Sequence, residues 1–337
     1  MTVSAALGQD SDQHRFGREF SGFVLVIAWA VLSYAAAFRS FGVGRDYIEY
    51  LAFYERIPVF LSTSVQRFEL GFSFLAWFFR YVVNVDYGWF ALVIVATALG
   101  IKFFLFWKYL KYPVLAAIYY CITFYAIHEY TQIRTAIALS FGYLAMHLFY
   151  KRSYAFGAIC LFIGVSFHTS IIVLLPVYIF AIYAKRYFFW VAVALGVLVV
   201  VGTSLPLRDI ALQLFSSANP LLDAYAENRE MLEISIFSIN NLGLLVALLL
   251  GVAAGWYHES RYHALFLIMS FGAILAVVGL AGVPMVAQRT KEVFYVATVF
   301  LAHRSSFRIK ALPAIGALWL TGGLLFYLNL QSDVLGG

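Results

Sequence analysis

Five polar residues stand where an apolar chain has least reason to keep them: Asp46, Glu69, Arg134, His168 and Arg289. Arg134, in "HEYTQIRTAIALS", opens a run that otherwise suits a membrane. A cation in the first turn of a helix opposes the helix dipole, and one at a bilayer boundary costs free energy. Something has to compensate it. The guanidinium and the free backbone N–H groups of that turn point the same way, an arrangement that favours an anion. Glu129, five residues earlier, is the local alternative. Arg289, in "GVPMVAQRTKEVFY", repeats the pattern: a Pro-marked turn, then a basic residue at the start of a helix, with Lys291 beside it and Glu292 as a local partner. Two such helix ends, if they converge, suit a diphosphate, because guanidinium groups bind phosphate oxygens bidentately and keep their charge.

His168 interrupts the 32-residue stretch from Ser153 to Ala184, which is too long for one perpendicular span and reads as two short helices meeting at "SFHTS". An imidazole at such a tip serves either proton transfer near neutral pH or a structural hydrogen bond, and both readings stand. The segment "GVGRDYIEYLAFYERIPVFLSTSVQRFELGFSFL" mixes carboxylates, arginines and aromatic rings, a set that sugar rings use and that interfacial belts also show. Within it, Asp46 and Glu69 border more apolar runs, where desolvation pushes a carboxyl group toward general-base use; pairing with Arg45 and Arg67 is the plainer alternative. No phosphate-binding loop, dinucleotide fingerprint, zinc motif or nucleophile elbow occurs, and acidic clusters of the metal-binding kind are missing. A reaction without metal or cofactor is expected.

The elements that carry these residues follow from composition. With 63% hydrophobic and 12% charged residues over 337 positions, the chain is too apolar for a soluble core and reads as an all-α, polytopic transmembrane bundle. Expected spans lie near 20–38, 87–107, 113–128, 132–150, 154–167, 170–184, 187–204, 237–256, 262–281, 287–303 and 312–330, about eleven in all. The piece 70–83 is too short for an ordinary span and is expected as a re-entrant or interfacial helix. Arg15 and Arg18 precede a first apolar run too long for a signal-peptide core, so an uncleaved first span is expected. One integral domain covers 20–330, between a cytoplasmic tail at 1–19 and a C-terminal tail at 331–337.

Lys and Arg in the short loops set the orientation. Arg15 and Arg18, Lys108 and Lys111, Lys151 and Arg152, Lys185 and Arg186, Arg261, and Arg304, Arg308 and Lys310 share one side, the cytoplasmic one, if 70–83 does not cross. The outer face then gathers segment 39–69, the turn before Arg134, the break at His168, the acidic loop 205–236 and the turn before Arg289. The net charge of +6 is scattered between apolar runs and builds no stripe for nucleic acid. Cys121 and Cys160 sit inside apolar runs as packing residues.

Four stretches taken in order, "GRDYIEY" with "FELGFSFL", "QIRTAIALS", "KRSYAFGAICLFIGVSFHTSII" and "AQRTKEVFY", resemble the EpsG family of bacterial exopolysaccharide polymerases, relatives of Wzy-type O-antigen polymerases. The likeness covers roughly residues 40–300, and Asp46, Arg134, His168 and Arg289 match the family's recurring polar positions. It implies a glycosyltransferase of the bacterial inner membrane, facing the periplasm or cell exterior, that joins undecaprenyl-diphosphate-linked oligosaccharide repeat units. On that reading Arg134 and Arg289 hold the diphosphate, and His168 or Asp46 takes the acceptor proton. Arg45, Glu69, Gln132, Gln288 and Lys291 complete the substrate-binding set. Partners are the lipid-linked donor and acceptor and the bilayer, with chain-length regulators or export proteins as further candidates. An O-antigen ligase would use similar cations. A transporter or flippase of the same lipid is the rival from another class, and it would show repeated halves and midplane charges.

Overall fold

The computed structural model describes residues 3–39, 45–58, 68–181, 237–280, 284–304 and 309–331. The expected span 187–204 and the loop 205–236 lie outside them. Among the described residues every regular element is helical, as the sequence led us to expect. Among the described residues three helices are long and apolar enough to cross a membrane by length and composition: Gly17–Ala37, Tyr87–Tyr109 and Tyr262–Gly279. Shorter apolar helices occupy Leu70–Val83, Pro113–Tyr125, Tyr154–Phe167, Ile239–Ala253 and Leu312–Leu328, each on an apolar run marked in the sequence, while the run 287–303 is divided between two helices, Pro284–Tyr295 and Ala297–Arg304. The piece 70–83 is indeed a short helix, Leu70–Phe78 followed by a π-helical turn Phe79–Val83. Large apolar side chains lie on the outside, Phe162 and Leu320 each at least three-quarters exposed, as befits a chain whose solvent is lipid.

The chain divides into two compact units, residues 1–171 with 325–337, and residues 172–324. In the first unit α1 (Val3–Ala37) runs beyond the length of its apolar part, so the helix continues through the residues expected as a tail. It packs on α4 (Tyr87–Tyr109), where the Trp29 indole N–H donates to the Ala96 carbonyl at 2.7 Å. Helix α2 (Arg45–Arg56) lies against α4 through aromatic rings, with Tyr54 stacked on Phe90 at 5.0 Å. Next come α3 (Leu70–Phe78), α5 (Pro113–Tyr120) with its π-helical continuation Cys121–Tyr125, α6 (Ile133–Tyr150) and α7 (Tyr154–Phe167). Proline opens α5, where its missing N–H costs nothing.

Two glycines set how closely α7 can be approached. A Cβ on Gly71 of α3 would stand 2.8 Å from the Ser166 carbonyl oxygen of α7 and would also overlap the Ser166 hydroxyl. A Cβ on Gly164 would stand 3.0 Å from the Ala138 carbonyl oxygen of α6. Only glycine permits both contacts, so α7 is held between α3 and α6 backbone to backbone.

A 3₁₀ turn, Thr169–Val173, spans the boundary at 171 and leads into α8 (Leu174–Ala181) of the second unit. Helix α9 (Ile239–Ala253) is capped by Ser238, and α10 (Trp256–Glu259) follows a left-handed Gly255. Helix α11 (Arg261–Gly279), capped by Ser260, packs on α8, α9, α12 (Pro284–Tyr295) and α13 (Ala297–Arg304). Each serine accepts a backbone N–H that the first helical turn cannot satisfy itself. Phe266 stacks on Phe300 at 4.8 Å between α11 and α13. Helix α14 (Leu312–Gln331) closes the described chain.

Candidate functional site

Arg134 is the second residue of α6, at the end where a cation is least favoured by the dipole. Its compensation comes from Glu69, 65 positions away in sequence, whose carboxylate Oε2 pairs with the Arg134 Nη1. Glu129 does not serve that purpose. It is fully buried, with its carboxylate paired to Lys102 of α4 and accepting the Tyr120 hydroxyl at 2.7 and 2.9 Å. Lys102 Nζ also donates to the Ala136 carbonyl at 3.1 Å, while Ser140 donates to the Ala98 carbonyl at 2.9 Å. These bonds tie the turn before α6 to α4 and so fix where Arg134 begins.

Glu69 occupies the N-cap position of α3, but its side chain caps nothing. Both oxygens turn outward instead. Oε1 accepts from His168 Nδ1 at 2.8 Å and from the Thr169 backbone N–H at 3.4 Å. His168 ends α7 in an extended conformation (φ −158°, ψ 117°), and its own backbone N–H still bonds to Gly164 O at 3.0 Å. The three side chains are 14 to 17% exposed, partly withdrawn from solvent. Arg134, Glu69 and His168 thus form one connected cluster from three helices, each aligned by the glycine contacts that let α3 and α6 close on α7.

Electrostatics follow from this geometry. Burial raises the pKa of the Glu69 carboxyl, but the hydrogen bond from His168 and the charges of Arg134 and His168 outweigh it and bring the group down to about 2. An ionised carboxylate can only accept, so His168 Nδ1 carries its hydrogen toward Glu69. When the ring is neutral, Nε2 holds the lone pair, and that buried atom has no hydrogen-bond partner among the described residues. A carboxylate that fixes one ring nitrogen as donor leaves the other as a proton acceptor, the arrangement a general base needs.

Aromatic rings complete the Arg134 surroundings. The guanidinium lies over Phe68 at 4.3 Å, with Tyr50 at 5.4 Å and Phe72 at 5.9 Å, and its Nε donates to the Tyr50 hydroxyl at 3.4 Å. Neither Tyr50 nor Phe68 stood out in the sequence beyond a general aromatic richness; the signal was the spacing Asp46–Tyr50, one helical turn. Asp46 sits in the first turn of α2, where a carboxylate suits the dipole, one turn ahead of Tyr50. Arg45 opens the same helix, and its side chain lies outside what the structure describes. Gln132 is the N-cap residue of α6, its carbonyl accepting the Ala136 N–H at 3.0 Å.

The remaining candidates belong to the second unit. Helix α12 opens at Pro284, so Arg289 lies beyond the first turn, and the free N–H groups of that turn are not beside it. Its Nη1 is 3.7 Å from Glu292 Oε2, while Gln288 Nε2 donates to Glu292 Oε1 at 3.0 Å. The local partner named from sequence, Glu292, therefore serves Arg289 and Gln288 together. Lys291 is half-buried on the same helix. Among the described residues no group of three or more His, Cys, Asp or Glu side chains could hold a metal ion.

Comparison with known proteins agrees with the resemblance in the sequence. The model of the EpsG family matches residues 22–330, nearly the whole chain. No curated protein and no solved structure matches.

Proposed function

The chain belongs to the EpsG family and is a helical membrane protein, and from that premise we propose that it is a glycosyltransferase polymerising undecaprenyl-diphosphate-linked repeat units on the outer face of the inner membrane. The observation that carries this reading is the His168–Glu69–Arg134 cluster. A neutral His168, held by Glu69 through Nδ1, takes the acceptor hydroxyl proton at Nε2. The acceptor oxygen forms a bond to the anomeric carbon of the donor chain as the bond from that carbon to the diphosphate oxygen breaks. The electron pair leaves with the lipid diphosphate.

Arg134 faces that developing charge. Its bonds to Glu69 and Tyr50 use Nη1 and Nε, which leaves the Nη2 edge for a phosphate oxygen. Both Glu69 oxygens are engaged, so Glu69 acts by holding Arg134 and His168 and is a positioning residue rather than a binder of sugar hydroxyls. Arg289, with Gln288 and Lys291, is assigned to diphosphate binding, and Asp46, Arg45 and Gln132 to the sugar portion. The reaction so written needs no metal or cofactor.

Reconstitution with lipid-linked repeat units tests the proposal. Elongation seen as a ladder on a gel supports it. Movement of intact units across the bilayer without elongation would instead make the protein a transporter, and transfer to a different acceptor a ligase. In the same assay Arg134→Lys, which keeps charge but loses the planar donor edge, is expected to slow elongation about a hundred- to thousandfold.

A further inference from the structure

Arg39 is another part-buried guanidinium of the first unit, and its surroundings differ from those of Arg134 in one respect. It follows the end of the apolar part of α1 and lies over the rings of Tyr47 at 4.3 Å and Tyr130 at 4.7 Å. Among the described residues its buried Nε and Nη1 have no hydrogen-bond partner, and the same holds for the hydroxyl of Tyr87 at the start of α4. Among the described residues, those that act on Arg39 electrostatically are Tyr87, Tyr130, Tyr47 and Tyr125, with no carboxylate, and the Tyr47 ring that covers Arg39 meets that of Tyr87 edge-on at 5.3 Å. Tyr125 already donates its hydroxyl to the Leu32 carbonyl at 2.7 Å.

A guanidinium has donors only and does not lose its proton, so it cannot escape this position by becoming neutral. The end of a helix favours a cation, which covers part of the charge. It does not supply acceptors, because Arg39 reaches no carbonyl oxygen among the described residues. Stacking on two rings compensates the face of the guanidinium and leaves its N–H edge untouched. Lys102 and Arg134 in the same unit each have a carboxylate. Arg39 and Tyr87 together offer three buried, unpaired polar atoms, two of them obligate donors, beside a fixed positive charge. That is a constellation for an oxyanion.

We propose that Arg39 and Tyr87 bind a phosphate group carried by a membrane lipid. Their position at the end of a span sets the depth at which such a headgroup lies. Helix α2 joins this place to the candidate active site: Tyr47 stacks on Arg39, and Tyr50, three residues on and on the same face, bonds to Arg134. The inference rests on the reading that the substrates are lipid diphosphates, since a polymerase must hold two of them at once and Arg134 serves one. A bulk anionic phospholipid carries the same chemistry.

The test is a binding measurement on the full-length protein in neutral detergent, read by native mass spectrometry and independent of elongation. Undecaprenyl diphosphate, phosphatidylglycerol and, as a control, phosphatidylcholine are titrated against wild type, Arg39→Gln and Tyr87→Phe. Loss of a charge-assisted hydrogen bond to the anion predicts an affinity drop of about tenfold or more for Arg39→Gln and a smaller drop for Tyr87→Phe. A drop confined to undecaprenyl diphosphate assigns the site to substrate, and one confined to phosphatidylglycerol assigns it to bulk lipid; either supports a lipid-phosphate site. Wild-type affinity for both in the two variants overturns it, as does a lowered melting temperature of Arg39→Gln with affinities unchanged. Should Arg39→Gln fail to fold, Tyr87→Phe, which removes one oxygen and no charge, decides alone. Lipid binding that depends on Arg39 in a protein that never elongates would sink the polymerase reading and leave this site standing.

Discussion

His168 Nδ1 and Glu69 Oε1 lie 2.8 Å apart across 99 residues of sequence, and the other Glu69 oxygen holds Arg134. One carboxylate therefore fixes both the orientation of an imidazole and the position of a guanidinium. Neither α6 nor α7 could achieve this alone, since Arg134 starts one helix and His168 ends the other.

Glu69→Gln keeps the shape of the side chain and removes its charge. The amide can present a donor to Arg134 or to His168, and the ring is no longer held with Nδ1 as donor. Elongation is expected to fall about a hundredfold or more, chiefly in kcat, with a shifted pH profile. Glu69→Asp should restore part of it. A variant with a wild-type rate and pH profile would show that the carboxylate plays no part in positioning.

Acid should loosen the cluster in a defined window. The folded-state value of about 2 lies below the ordinary 4.5, so the stabilisation by Glu69 is complete above 4.5 and disappears as pH falls from there towards 2. Melting temperatures of the protein in detergent should therefore drop further over this window in wild type than in Glu69→Gln. Equal slopes would count against an ionised, doubly paired Glu69.

Gly71→Ala adds one methyl where the Ser166 backbone stands 2.8 Å away. A carbonyl in a helix cannot swing aside, so α3 must retreat from α7 and draw Glu69 away from His168. A loss of about 1–3 kcal/mol is expected together with a loss of elongation. Gly316→Ala, where a Cβ meets nothing within 4 Å, is the control and should be neutral or slightly stabilising. Similar melting temperatures for the two variants would refute the close contact.

Lys102→Met leaves Glu129 buried without its cation. Removing one partner of such a pair costs about 3–5 kcal/mol, whereas replacing both by apolar groups is often close to neutral. Lys102→Met with Glu129→Leu should therefore melt higher than either single variant. Additive losses in the double-mutant cycle would mean that the two charges are not coupled.

Much of this was legible in the sequence, and what was not has a physical reason. Apolar runs and their breaks located the helices, because a backbone in lipid must satisfy its own hydrogen bonds. The oddity of Arg134 was also legible, since the dipole makes a cation there conspicuous. Its partner was not: nearness in sequence pointed to Glu129, but helix packing decides pairing, and Glu129 faces Lys102 while Glu69 comes from α3. Arg289 was read as the start of a helix and lies beyond its first turn, because the apolar pattern begins later than the helix does. Arg39 went unremarked, as a basic residue just past a span usually needs no explanation. Only its buried, unpartnered nitrogens set it apart.

The seams on either side of α7 also bear on how a lipid could arrive. Where Gly71 meets Ser166 and Gly164 meets Ala138, main chain comes against main chain, and the Ser166 hydroxyl fills what room the first joint leaves. An isoprenoid tail cannot thread between those rods without prising them apart, which would also pull the imidazole from its carboxylate. On the proposed function, a lipid bound for Arg134 takes another flank, and these two joints are walls rather than doors.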